Sequence, residues 1–383
     1  MSVTAARGFR ASGVAAGIAA TDRLDLAIVV NDGPTDAAAG VFTANRVKAA
    51  PVLWSQQVLA SGRLTAVVLN SGGANACTGP DGFADTHATA ERAAAALGTG
   101  AVDVAVCSTG LIGTRLPIDA VLSGVDAAAK QLSGHGGQDA ARAIMTTDTI
   151  PKLAARRSGN WTVGGMAKGA GMLAPGLATM LAVITTDVVA DPSTLDEALR
   201  AATRVTFDRI DSDGCMSTND SVILLASGAS LIAPAFEQLV EVLTDVCADL
   251  TGQLLADAEG STKDVTIQVA HADTEDDAVA VGRAVARSNL LKCALFGDDP
   301  NWGRVLAAVG TTSAAFDPDR IDVAMNGVWV CRAGAAGADR SAVDLSGREV
   351  RITVDLHAGQ AEATVWTNDL SVGYVHENSA YSS

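Results

Sequence analysis

Aromatic side chains make up only 4% of this 383-residue chain, and charged ones only 18%. No segment approaches the ~18–20 consecutive apolar residues of a membrane span. Residues 11–20 are small and weakly apolar, and Asp22, Arg23 and Asp25 follow without the apolar stretch of a secretory signal. Basic charge is scarce too: 27 Lys and Arg face 43 Asp and Glu, for a net charge of −16. A surface of that sign repels phosphate backbones and anionic headgroups, so neither nucleic acid nor a membrane is an expected partner. The six cysteines (Cys77, Cys107, Cys215, Cys247, Cys293, Cys331) form no C-x-x-C pair and no Cys/His cluster. That pattern indicates neither a zinc site nor a disulfide framework, and it fits free thiols in a reducing cytoplasm. No internal repeat or low-complexity linker is evident.

What the chain has in quantity is small and aliphatic residues: 48% are hydrophobic and 38 are glycine. Such a chain is not disordered, suits closely packed α/β layers, and is long enough for two domains with their own cores. Short strand patterns separated by glycine turns fall at residues 25–30, 40–42, 65–69 and 103–107. Helices are expected at 84–96, 119–132 and 138–144. Asp191-Pro192 reads as an N-cap followed by proline at the first helical position. Leu195, Ala198, Leu199, Ala202 and Val205 then keep helical spacing. A longer helix follows Pro234, with Gly260 as its stop. A new strand–helix unit begins near Lys263, with residues 265–269 leading to a helix over 274–291. The expected division is a main α/β domain, 1–262, and a smaller α/β domain, 263–383.

The most telling segment is Lys168-Gly169-Ala170-Gly171-Met172-Leu173-Ala174-Pro175-Gly176-Leu177-Ala178-Thr179-Met180-Leu181. A glycine-rich, proline-interrupted loop leads directly to a hydroxyl residue that opens an apolar, strand-like run over 179–186. This arrangement suits a chain that cuts itself at the Ala178–Thr179 bond. Threonine needs a base to become a nucleophile. A newly freed α-amino group, with a pKa of about 7.7–8.0, supplies one near working pH. The plain alternative is a tight loop feeding a core strand. A second alternative is dinucleotide binding, because Gly169 to Ala174 also fits G-x-G-x-x-G/A with residues 161–163 as the preceding strand. That motif needs a helix to start inside the loop, which Pro175-Gly176 opposes.

Other candidates surround it. Thr109-Gly110 follows the apolar strand Val104-Ala105-Val106, where a turn can aim donors at a developing oxyanion or be a turn and nothing more. Cys107 and Ser108 are alternative nucleophiles, but the five histidines bear no spacing relation to them and no G-x-S-x-G occurs. Lys168 is a lone cation in a glycine-rich loop, either solvated or holding a substrate carboxylate. Glu259 sits at the expected helix C-terminus, where its charge opposes the helix dipole.

These residues resemble the ornithine acetyltransferase family, also called bifunctional glutamate N-acetyltransferase. Lys168 to Leu181 is similar to its self-cleavage motif, Asn70 to Gly79 to its N-terminal glycine loop, and Cys107 to Gly113 to its oxyanion segment. Met145 to Thr149, Asp257 to Gly260, Asp299 to Arg304 and the tail Glu377 to Ser383 follow in family order. One departure, Cys215-Met216 within Asp213 to Asp220, is less polar than the family's segment and falls outside its catalytic segments.

The resemblance implies an α–β–β–α sandwich of the self-processing threonine-nucleophile type with a smaller C-terminal α/β domain. Cleavage would yield an α chain, 1–178, and a β chain, 179–383, assembled as a heterotetramer of two of each. It implies Thr179 as nucleophile, Thr109 and Gly110 as oxyanion hole, and Thr146, Lys168, Thr179, Glu259, Asn378 and Ser383 as substrate ligands. The implied reaction moves acetyl from N2-acetyl-L-ornithine to L-glutamate, with no metal and no cofactor. Acetyl-CoA stays open as a second acetyl donor. The rival functions are a self-processing threonine-nucleophile aminopeptidase or amidase and, behind it, the dinucleotide enzyme.

Overall fold

The computed structural model describes residues 2–19, 22–174 and 180–380. The elements of the first 260 residues are β1 (Phe9–Val14), β2 (Leu26–Asn31), β3 (Ala37–Phe42), α1 (Ala50–Val58), β4 (Ala66–Asn70), α2 (Gly79–Leu97), β5 (Val104–Ser108), α3 (Ile118–Lys130), α4 (Gly137–Ala143), β6 (Lys152–Ser158), β7 (Trp161–Lys168), β8 (Leu181–Thr186), α5 (Pro192–Arg204), β9 (Ser221–Ala226) and α6 (Phe236–Ala256). Then come β10 (Asp264–Ala272), α7 (Glu275–Ala286), α8 (Asn289–Phe296), α9 (Trp302–Val309), β11 (Asp322–Met325), β12 (Val328–Arg332), β13 (Ala335–Ala336), β14 (Glu349–Asp355), β15 (Ala361–Asn368) and α10 (Val372–Ala380).

Among the described residues three sheets form, in the orders β1-β2-β4-β5, β3-β9-β8-β7-β6 and β13-β12-β11-β14-β10-β15. Each is mixed, with a single parallel pair: β4 with β5, β8 with β9, and β10 with β14. Parallel neighbours need a crossover, and α2 and α5 lie in the first two of these. The middle strands of the second sheet are buried on both faces. Leu181, Val183, Ile223 and Leu225 join a core with the first sheet. Their neighbours Ala182, Ile184, Val222, Leu224 and Ala226 point the other way, into a core with α5 and α6. The period-two alternation of a strand thus feeds two apolar layers at once, so residues 181–184 of β8 and 222–226 of β9 are apolar on both faces. The third sheet has its own core of residues between Val265 and Val365.

Most expected elements form within a few residues of the stated bounds. Asp191 does cap α5, its carboxylate accepting the Thr194 N–H. Val205 departs from the expected helical face: it ends α5 and is exposed. The single helix expected over 274–291 is two, because the Ser288 side chain caps a fresh start at Asn289. The strands β1, β6 and β9 were not indicated by pattern. β1 and β6 are edge strands, and β6 carries the exposed Arg156 and Arg157. Charge on an edge protects it from unwanted pairing and hides the apolar alternation. Among the described residues no helix is long and apolar enough to cross a membrane.

Candidate active site

The site lies where the last residues of β5 and β7 meet loops that come from elsewhere in the chain. β4 and β5 run parallel, so the segments leaving them emerge side by side, and Gly73 bridges to Thr109. The Thr109 N–H donates to the Asn70 carbonyl, and the Gly73 N–H to the Thr109 carbonyl, each at 3.0 Å. Gly110 follows with φ +132°, and a Cβ there would lie 2.5 Å from the Gly73 nitrogen. Only glycine fits such an approach. The Gly110 N–H has no hydrogen-bond partner among the described residues.

Lys168 ends β7 with its side chain buried. Its ammonium donates to the Thr146 hydroxyl at 2.7 Å and the Thr109 hydroxyl at 3.3 Å. It stands 3.9 Å from Asp148. Burial pushes the Lys168 pKa down, and the charge of Asp148 opposes that shift. Asp148 is itself buried, which alone would raise its carboxyl. The ammoniums of Lys168 and Lys152 outweigh that burial and bring it to about 2. One Asp148 oxygen also accepts the Lys152 ammonium at 2.6 Å and the Gly169 N–H at 2.7 Å. Asp148 therefore ties the start of the 169–174 loop to a lysine on the next strand. Lys152 also pairs with Asp257 at 2.5 Å, joining this cluster to the segment that carries Glu259.

Glu259 lies three residues past the end of α6 rather than in its last turn, which removes the expected conflict with the helix dipole. Its carboxylate accepts the Thr147 hydroxyl at 2.7 Å and the Asn378 amide at 2.9 Å. A Cβ on Gly171 would meet that carboxylate at 2.5 Å, so the loop glycine gives Glu259 its space. Asn378 brings α10 over the same place.

Together these groups line a cavity of about 260 Å³, with Thr109, Gly110, Thr146, Lys168, Glu259 and Asn378 all on its wall. Six of the expected site residues thus converge. Ala178, Thr179 and Ser383 lie outside the described residues. A larger groove of about 890 Å³ lies between α6 and the third sheet. Its Asp264 is taken up by Arg348 at 2.8 Å, and none of the expected residues reaches it.

Two expectations are corrected. The segment around Cys215-Met216 is not remote from the site: Ser217, Thr218 and Asn219 line the cavity, and Leu173 bridges to Met216. Asn219 donates to the carbonyls of Ala74 (2.6 Å) and Ser108 (2.9 Å), locking the loop after β4 to the end of β5. The dinucleotide alternative also fails, since no helix starts within residues 169–174 and Leu173 makes a strand-like bridge. Cys107 and Ser108 are poor nucleophiles here. Burial pushes the Cys107 thiol up to about 12, and the buried Ser108 hydroxyl is committed to Asn70 at 2.6 Å.

Sequence reasoning missed Asp148 and Asp220. The Lys152 charge four residues after Asp148 was the one local signal for the first. Asp220 is fully buried and accepts the N–H of Met180, the residue after Thr179, at 3.1 Å. Burial raises its carboxyl well above the usual range, against the opposing pull of the Met180 N–H and the Ser217 side chain.

Fold and cavity together define a mixed α/β protein whose site, among the described residues, presents a buried ammonium, a carboxylate and a glycine turn. Sequence comparison is more specific. The chain belongs to the ArgJ family, whose model matches residues 10–383. It is 67% identical over 383 residues to the arginine biosynthesis bifunctional protein ArgJ of Streptomyces coelicolor, covering 100% of both chains. To that of Mycobacterium tuberculosis it is 62% identical over 389 positions, covering 100% of this chain and 96% of the other. The solved ornithine acetyltransferase of M. tuberculosis, complexed with ornithine, is 68% identical over 45% of this chain and 94% of its own, with a TM-score of 0.45. The solved ArgJ of Bacillus halodurans is 32% identical over 52% of this chain and 98% of its own, with a TM-score of 0.50.

Proposed function

We infer that this protein is a self-processing acyltransferase of arginine biosynthesis that moves acetyl from N2-acetyl-L-ornithine to L-glutamate. The observation that carries the reading is the cavity shared by Lys168, Glu259 and Thr109-Gly110. Both amino acids carry an α-carboxylate and an amino or acetamido nitrogen. One ammonium and one carboxylate in a single cavity suit a site that holds each in turn.

In this reading the chain cuts itself before Thr179, giving an α chain, 1–178, and a β chain, 179–383. The Thr179 hydroxyl attacks the acetyl carbonyl of N-acetylornithine while the new α-amino group takes its proton. Gly110 N–H and Thr109 receive the developing oxyanion. The carbon–nitrogen bond breaks, the proton returns to the leaving nitrogen, and ornithine departs from an acetyl-Thr179 enzyme. Glutamate enters, its amine attacks the ester, and N-acetyl-L-glutamate leaves with the Thr179 hydroxyl restored. Lys168 and Thr146 hold the substrate carboxylate, and Glu259 with Asn378 and Ser383 holds the amino end. No cofactor takes part, and acetyl-CoA is an open second donor.

The same reading takes residues 1–262 as an α–β–β–α sandwich domain and 263–383 as the smaller domain. It takes the assembly as two α and two β chains in the cytoplasm.

Intact mass tests the premise. By residue count, 178 and 205 of 383, the 38.6 kDa chain divides into fragments of roughly 18 and 21 kDa. Thr179→Ala is expected to stay one chain and to lose transfer; full transfer by that variant would sink the mechanism. A threonine aminopeptidase would also be cut but would hydrolyse peptides and leave glutamate unacetylated.

A further inference from the structure

One end of the third sheet gathers a second group of polar side chains, none of which lines the cavity described above. β10 and β14 are parallel, and Ala270 pairs with Asp355, so their C-terminal ends lie together. β11 begins beside them, with Asp322 opposite Asp355. His271 and His357 stand one residue and two residues beyond that register, with rings nearly parallel at 8° and centroids 6.1 Å apart. Between them is the largely buried Asp355. Both its oxygens lie 2.9 Å from His271 Nδ1, and Oδ1 lies 3.4 Å from His357 Nδ1. The far nitrogen of His357, Nε2, is 3.1 Å from Asp322. Asp322 is held in turn by Arg332 at 2.7 Å and the Ala333 N–H at 2.8 Å.

We propose that His271, Asp355 and His357 bind a borderline divalent cation of the zinc class. One ligand atom from each of the three residues falls within 4.8 Å of the other two. Ligands about 2.1 Å from a zinc ion stand roughly 3–3.4 Å apart, close to the spacings around Asp355. Two imidazoles and one carboxylate favour zinc, nickel or cobalt over magnesium or calcium, which want oxygen cages. Asp322 fixes the tautomer: a proton kept on His357 Nε2 leaves the Nδ1 lone pair facing Asp355, the carboxylate–histidine–metal arrangement. The bound ion would fasten the ends of β10 and β14, and water would fill its remaining positions, since both histidines are exposed.

The test uses untagged, chelator-treated, full-length protein titrated with zinc against a chromophoric competitor, with melting followed in parallel. The expected result is one zinc per chain, bound at least tenfold more tightly than in the His271→Ala/His357→Ala double variant, with a zinc-dependent rise in melting temperature that the variant lacks. Asp322→Asn, which leaves all three ligands in place, is expected to weaken binding about 10–100-fold. Excess magnesium leaves these results unchanged. Equal zinc stoichiometry and affinity in wild type and double variant would overturn the proposal, because the ion would then sit on exposed thiols such as Cys77 or Cys293. Absence of stoichiometric binding in the wild type would overturn it as well.

Discussion

Asp148→Asn is the perturbation that the structure makes most quantitative. The substitution keeps shape and removes the one charge that serves both Lys168 and Lys152. In the folded chain the Asp148 carboxyl is brought down to about 2, against about 3.9 when unfolded. That difference, nearly two units, corresponds to roughly 2–3 kcal/mol of stability at neutral pH. Removing one partner of a buried pair commonly costs about 3–5 kcal/mol, so about 3 kcal/mol is a fair central figure. With about 2.1 cal/mol/K of unfolding entropy per residue, a chain of this length unfolding as one unit would melt about 4 °C lower. Because the folded pKa is the lower one, this contribution is complete above about pH 4 and is lost as the pH falls through about 2. Melting at pH 7 and pH 5 should therefore show the same gap between wild type and variant, and the gap should narrow below pH 4. Transfer kinetics should change too. Without Asp148, burial acts on Lys168 with less opposition, so less of it stays an ammonium and KM for both amino acids rises. A variant that melts within 1 °C of wild type at pH 7 and transfers acetyl at the same kcat/KM would refute the account of the buried cluster.

Other substitutions probe single contacts. Gly260→Ala would put a Cβ 2.1 Å from the Tyr374 nitrogen at φ +60°, forcing α10 off the cavity and breaking the Asn378–Glu259 contact. Loss of a hydrogen bond to a charged group, about 1.5–3 kcal/mol, predicts a KM rise of roughly 10–100-fold with intact processing, read by steady-state kinetics. Gly110→Ala would collide with the Gly73 nitrogen at 2.5 Å and turn the oxyanion segment. A fall of about 10²–10³ in kcat is expected, as for a lost oxyanion donor, with uncleaved chain accumulating on a denaturing gel.

Much of the candidate site was legible because its signals are local. The glycine loop before Thr179, the Thr109-Gly110 turn after an apolar strand and the Asp191-Pro192 cap are each written in a few consecutive residues. Their physics is equally short-ranged: a left-handed φ, an early proline, a side-chain oxygen reaching an N–H three residues on. The charged network was not legible. Asp148 meets Lys168 twenty residues away and, through Lys152, Asp257 more than a hundred away, and no periodicity reports which buried charge answers which. The departure at Cys215-Met216 was placed outside the catalytic segments for the same reason, although Asn219 nearby clamps two other loops.

The sequence by itself determined the α/β alternation, the short caps and turns, and the chemical type of the site, because those depend on apolar period and on backbone freedom residue by residue. Only the tertiary structure decided which of the two cores each face of β8 and β9 would feed, that Glu259 stands clear of its helix, and that His271 and His357 flank Asp355. Those outcomes depend on strands pairing across long stretches of chain. Burial makes such pairings energetically decisive: a charge that is indifferent to its neighbours in water must have a definite partner once the sheets close around it.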